Sequence, residues 1–510
     1  MGGLGMSDFI WGDPHPLPID RQKHKHESNK RAARHYANQL SEADDAYLRG
    51  GAGVTAGLEQ YDREAGNVHK WQIWVAEESA RGGEDGAIAA LSRDLALSGA
   101  WVSDLRRAPQ ELADLFRKAV RACRRLGDRK GEAIALGNLG DACADLGVYQ
   151  EAMDCHTRSL ELSRELGDRR AEGNAHGNLG NVHVALGAFE TAIECYQRNF
   201  RIAEEIEDRQ GMTAALGNLG SVHADLGNYP EALAYHDRCL ALARHFGDRR
   251  AEGGSLCGLG NVHFARGEMA QAITFWSQSL AVSRELGDRK GEGQDLSNLG
   301  SAHARAGDLR SAAACIEEAV ALARLIGDRA GEGAALGNLG CIHQLQGDHG
   351  KSLDWHLQAL TISRELGDRR AECQDLNNLG MASSSLGNSA AAIRYYEQQL
   401  PLTRQLGDYR AEGKTLLHLG NAHAARGDCE VAARYYRFRL ELARERGDRR
   451  GEGMSSFNLG VALRDLRRFS EAASFAEQAL ASYEAIAHPS AQKARNLLAD
   501  LRVLAQSHSC

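Results

Sequence analysis

The chain has 510 residues, 43% hydrophobic, 25% charged and only 6% aromatic, with a formal net charge of −8. That acidic balance speaks against nucleic acid as the main partner, which would require a basic stripe, and no run of about 20 apolar residues exists to span a membrane. Eleven cysteines, an odd number with no CxxC pair, and the lack of a charged-then-apolar leader fit reduced thiols in a cytoplasmic protein.

Residues 1–27 carry proline and histidine without hydrophobic periodicity and are expected to form a flexible tail. Arg21, Lys23, Lys25, Lys30, Arg31 and Arg34 make a small basic cluster, read as a solvated helix start. Residues 28–86 read as an irregular helical region, because Leu58, Tyr61, Val68, Trp71, Trp74 and Val75 are spaced for amphipathic helices.

From Gly127 onward the chain repeats itself every 40 residues: Gly127 returns as Gly167, Gly247, Gly287, Gly327, Gly367, Gly407 and Gly447, with Glu207 in the one missing slot. Leu139-Gly140 returns in the same phase as far as Leu459-Gly460, so residues 127–486 hold nine units without insertion or deletion. A fixed period of this length signals a repeat array. Within a unit, Leu136, Leu139, Cys143 and Leu146 share one helical face, Gly147 stops that helix, and Ala152, Met153, His156 and Leu160 share a face of a second helix. Asp168 is placed to cap the next helix, with Glu172 near its positive start. Neither helix can bury its apolar face alone, so neighbouring hairpins must stack.

Residues 87–126 read as a degenerate earlier unit, since Leu112, Phe116 and Ala119 stand 40 residues before Ala152, His156 and Ser159. At the other end, Ala494, Leu497, Leu498, Leu501 and Leu504 give residues 487–510 a capping helix and a short tail.

The pattern of Leu179-Gly180, Ala192 and Tyr196, or Leu259-Gly260, Ala272 and Trp276, resembles the tetratricopeptide repeat (TPR). The 40-residue unit and its LGNLG helix look like the kinesin light chain and LGN/Pins polarity-adaptor branch, and like the arrays of bacterial STAND regulators. The resemblance implies an all-α, right-handed superhelical solenoid of antiparallel helix hairpins. It also implies a protein or peptide partner, held on the concave face that the first helices line. The chaperone-binding branch clamps a C-terminal carboxylate with groove lysines and an arginine; only Lys414 matches, which leaves that activity unsupported.

Catalytic and cofactor motifs do not survive this phase. GDYRAEGKT at 407–415 resembles a P-loop, but Asp408 stands where the loop requires glycine, and the stretch is in register with helical AEGNAH at 171–176. No ATPase module, nucleophile elbow or HExxH motif is present, so neither enzyme activity nor a cofactor is expected. His183, His223, His263, His303, His343 and His423 recur one unit apart, too far for one metal ion, and each is expected to pack within its own unit.

The ladder Asn138, Asn178, Asn218, Asn298, Asn338, Asn378 and Asn458 stands out, because asparagine is a mediocre helix former. Two compatible readings apply: hydrogen bonds that hold the stack, or groove-facing amides that grip the main chain of an extended peptide. One turn away on either side lie Asn174, Asn181, Asn261, Gln294, Gln374 and Asn421, expected to select side chains of a ligand. The functional expectation is a non-catalytic scaffold binding a peptide or protein segment. The alternative is the sensor array of a STAND-type system lacking its own ATPase.

Overall fold

The computed structural model describes residues 19–48, 52–80, 86–100, 103 and 107–507. These residues form 23 α-helices, and no strand occurs among them. They fall into two compact units, Met1–Asp288 and Arg289–Cys510.

In the first unit, α1 (Ile19–Leu48), α2 (Ala52–Ala80) and α3 (Gly86–Leu97) pack together, burying Leu40, Tyr61, Val68, Val75, Leu91 and Leu95. The tail expected over 1–27 therefore ends early: residues 19–27 already belong to α1, whose charged, proline-free start lacks periodicity yet suits a helix. Residues 1–18 lie outside the described residues. Helix α3 also packs on α4 (Pro109–Leu126), which buries Leu112, Phe116 and Ala119.

Four helix pairs follow in the first unit and five in the second. Each pair has an A helix, such as Arg169–Ala185, and a B helix, such as Phe189–Glu205. Two glycine turns set the hairpin. Gly167 (φ 67°) ends one B helix and Gly187 (φ 75°) follows the next A helix, both in the left-handed region that costs an L side chain. Asp168 then accepts a hydrogen bond from the Ala171 N–H at 3.0 Å, satisfying one orphan donor of the new A helix. The same cap recurs at Asp128, Asp248, Asp328, Asp408 and Asp448. GDYRAEGKT is accordingly a turn and the start of the helix Tyr409–Arg426.

The Leu-Gly pair fixes how A meets B. A Cβ on Gly180 would stand 2.5 Å from Cε1 of Tyr196, so glycine leaves the space that the B-helix ring fills. Within each unit, consecutive A helices approach one another while consecutive B helices stay apart, which makes the A side the inner one. The final helix α23 (Ala491–Ser507) closes the second unit by placing Leu497, Leu498 and Leu501 against Leu459, Leu463 and Ala476. The contact covers apolar area worth about 1.5–3 kcal/mol per buried leucine.

Candidate functional site

The inner face is not smooth. Among the described residues, clefts open between neighbouring A helices, and in three of them the B helix between forms the floor. One of about 220 Å³ lies between Arg129–Asp145 and Arg169–Ala185 and is lined by Asn138, Asn174 and Asn178. A second, about 150 Å³, lies between Arg289–Arg305 and Arg329–Gln346, lined by Gln294, Asn298 and Asn338. The third, about 370 Å³, lies between Arg329–Gln346 and Arg369–Ser385, lined by Asn338, Gln374 and Asn378. Ladder amides from two repeats thus face each cleft, because residues 40 apart occupy the same helical register. Asn218 and Asn458 keep that register without lining any of these clefts.

The amides differ in what they touch. Gln294 Nε2 donates to Asn298 Oδ1 at 3.2 Å, and Gln374 Nε2 donates to Asn378 Oδ1 at 3.0 Å, so these pairs form short polar rows along one helix. Asn378 Nδ2 lies 3.8 Å from Cys341 Sγ on the preceding A helix, a weak link between repeats. The side-chain amides of Asn138, Asn178, Asn218, Asn338 and Asn458 have no hydrogen-bond partner among the described residues, although four of the five are half-buried.

Asn181, Asn261 and Asn421 have a second duty that the sequence reading missed. Asn181 Oδ1 accepts from Tyr196 Oη at 2.8 Å, Asn261 Oδ1 from Trp276 Nε1 at 3.1 Å, and Asn421 Oδ1 from Tyr436 Oη at 2.8 Å. Each satisfies the polar tip of its own repeat's buried ring, and only its NH₂ group is left to turn outward. The spacing of 15 residues between asparagine and aromatic, kept in all three cases, was the available signal.

The family model described as Tetratricopeptide repeat matches residues 171–245, 251–325, 296–365, 331–405 and 411–485, and another of the same description matches 135–170. Together they cover more than half of the chain. The chain belongs to the tetratricopeptide repeat family. A comparison with curated proteins finds no match. Among solved structures, a Signal Transduction ATPase with Numerous Domains (STAND) protein with a tetratricopeptide repeat sensor, from Pyrococcus horikoshii, is similar at 15% identity and a TM-score of 0.49, over 66% of this chain and 50% of that one. The chain thus spans half the length of that protein. A Rap protein complexed with Competence and Sporulation Factor is similar at 12% identity and a TM-score of 0.47, over 74% of this chain and 99% of that one. Kinesin light chain TPR-like repeats of Podosopora anserina are similar at 17% identity and a TM-score of 0.33, over 38% of this chain and 92% of theirs. At these identities the likeness concerns the fold alone.

Within these tetratricopeptide repeats three of the A-helix histidines stack on rings of their own hairpins. His223 stacks on Tyr235, His263 on Phe275 and His423 on Tyr435, with ring centroids 5.2–5.4 Å apart. No group of three or more His, Cys, Asp or Glu among the described residues is arranged to hold a metal ion.

Two acidic features went unread in the sequence. The glutamate four residues after the capping aspartate is buried and bridges repeats at Glu132, Glu172, Glu252, Glu332 and Glu372, and is only half-buried at Glu412 and Glu452. Glu332 takes Arg324 Nε at 2.7 Å from the preceding B helix and Arg329 Nη1 at 2.5 Å from its own. Burial alone would raise the Glu332 carboxyl, but the two arginines outweigh it and hold the group below the usual carboxylate range. Arg329 also pairs with Glu365 at the end of the following B helix. The second feature is Asp375. It is buried in the 370 Å³ cleft, at a register that holds Ala135, Ala175, Ala215 and Ala335, the hydroxyl residues Ser255, Thr415 and Ser455, and one other buried acid, Asp295. An acid at a register otherwise filled by small residues was the signal for it.

Proposed function

We propose that the inner A-helix face binds an extended peptide or protein segment, without catalysis. The observation that carries this reading is the set of ladder amides without a hydrogen-bond partner among the described residues: Asn138 and Asn178 line one cleft together, and Asn338 lines two adjoining ones. A side-chain amide both donates and accepts, which matches the alternating N–H and C=O groups of an extended main chain. Small residues beside the ladder, Gly137 and Gly337, line the same clefts and leave room for a ligand backbone to approach. Gly217, in the same register, would meet nothing within 4 Å if it carried a Cβ. In this reading Asn174, Gln294 and Gln374 lie beside the main-chain contacts and select ligand side chains. Asn181, Asn261 and Asn421 contribute only their outward NH₂ groups.

The test is capture of a capped, randomised octapeptide library by the intact chain, compared with Asn138→Ala/Asn178→Ala and Asn338→Ala/Asn378→Ala. Losing two to four hydrogen bonds of about 1 kcal/mol each predicts at least about a ten-fold drop in capture, with the melting temperature held. Unchanged capture by both variants, or no capture by the wild type, sinks the reading. A large fall in melting temperature would show instead that the asparagines hold the stack together.

A further inference from the structure

We propose that the cleft between Arg329–Gln346 and Arg369–Ser385 is a specificity subsite for one basic side chain, lysine or arginine, of the bound segment, with Asp375 as its counter-charge. This rests on the groove reading above and names the chemistry one cleft selects.

Asp375 is 7% exposed. Its Oδ2 accepts from Ser363 Oγ at 3.0 Å, on the B helix that floors the cleft. Its Oδ1 points the other way and lies 3.8 Å from where a Cβ on Gly337 would stand, so that oxygen faces the space glycine leaves open. The walls combine apolar groups, among them Ile362 and Leu366, with the amides of Asn338, Gln374 and Asn378. Neither lysine nor arginine lines this cleft. The charged neighbours on the same helix, Asp368 and Glu372, are both acidic and work against ionisation of Asp375. The cleft of about 150 Å³ next to it is lined by Arg289 and Lys290, and the one of about 220 Å³ by Lys130.

A carboxylate buried with a single hydroxyl partner is costly, because desolvation is not repaid by an opposite charge. A cation entering the cleft would supply that charge. Lysine and arginine suit the shape as well: an apolar stem lies along Ile362 and Leu366 while the charged head reaches the floor. An acidic or a purely aliphatic side chain would leave Asp375 repelled or unpaired.

Cys341 lines the same cleft, is exposed, and gives a direct probe. The experiment measures, by mass spectrometry at Cys341 of the full chain, modification by the cationic aminoethyl and the anionic sulfonatoethyl methanethiosulfonates. In parallel, the peptides captured from the octapeptide library are sequenced. The wild type should favour the cationic reagent by about five-fold or more, and its captured peptides should be enriched in lysine or arginine at one position. Asp375→Asn, which keeps the shape and the link to Ser363, should abolish both preferences while still capturing peptides. If the asparagine variant folds poorly, Asp375→Ala supplies the residue that Ala335 shows is accommodated at this register. A reagent preference unaffected by either substitution, or captured peptides without basic enrichment, overturns the inference alone. Failure to capture any peptide overturns the groove reading and this inference with it.

Discussion

Gly180 and Gly254 occupy A helices of the same unit yet carry opposite expectations. A Cβ at position 180 would collide with the Tyr196 ring, whereas one at 254 would meet nothing within 4 Å. Gly180→Ala should therefore destabilise by about 1–3 kcal/mol through overpacking, while Gly254→Ala should stabilise by up to about 1 kcal/mol through helix propensity. Urea unfolding of the two variants side by side checks the contrast. The histidine rings beneath the equivalent glycines Gly140, Gly220 and Gly340 also set a pH response. Burial pushes His156, His236 and His356 down to about 4. Between that value and the ordinary 6.5, the unfolded chain takes up protons that the folded rings refuse. Stability should fall as pH drops through this window, by up to about 3 kcal/mol per ring. Asp375, pushed up to about 6 by burial, works with the opposite sign: its contribution is present at low pH and is lost as pH rises through about 6. Tyrosine fills the ring slot at 196, 396 and 436. His356→Tyr should thus keep the fold and reduce the stability lost between about pH 7 and about pH 4.5 by about 2–3 kcal/mol. Denaturation midpoints at the two pH values measure it, and an unchanged difference would show that His356 does not resist protonation.

At the scale of the helix, most A helices start with an aspartate cap and a glutamate in the first turn, which is buried in six of them. The helix Arg209–Asp225 departs from this. Met212 replaces the glutamate, Asp208 makes no cap to the helix, and its carboxylate is taken instead by Arg170 Nε at 3.2 Å. The turn before it places Glu207 at φ 54°, where every other B-to-A turn of the array has glycine. A left-handed L residue costs about 1–2 kcal/mol, so Glu207→Gly should stabilise the chain by about 1 kcal/mol. A thermal melt that stays put or falls would show that Glu207 makes a compensating contact. The ion pairs at these starts differ in worth. Arg329 with Glu365 joins two half-exposed groups and contributes little, whereas Glu332 is buried and its two arginines offset the cost of its desolvation.

At the scale of each compact unit, a repeat packs against its neighbours in the chain, so stability is a sum of repeat and interface terms that can fail locally. The end of the second unit gives the cleanest trial. Leu501 is fully buried in the cluster that α23 forms with the last repeat. Leu501→Ala should cost about 2–4 kcal/mol, and the loss should stay local. Hydrogen exchange should quicken in the helices Arg449–Asp465 and Phe469–Glu484, while Arg329–Gln346 and Arg369–Ser385 keep their protection. Uniform loss across the second unit would show that it unfolds all-or-none.

The period alone determined the hairpins, because a glycine, a Leu-Gly pair and an alanine kept at fixed offsets leave one way for two short helices to pack. It also placed the asparagines in one register. The tertiary structure decided what those side chains touch. Helical phase names a face but not the depth of a neighbour, so Asn181 and Asn178, three residues apart, were alike in the sequence. Folded, one holds the Tyr196 hydroxyl and the other has no partner among the described residues. Asp375 shows the same limit: an acid at a register filled mostly by alanine, serine and threonine reads as a substitution, and only the stacking of two A helices over one B helix turns it into a buried carboxylate facing an open cleft.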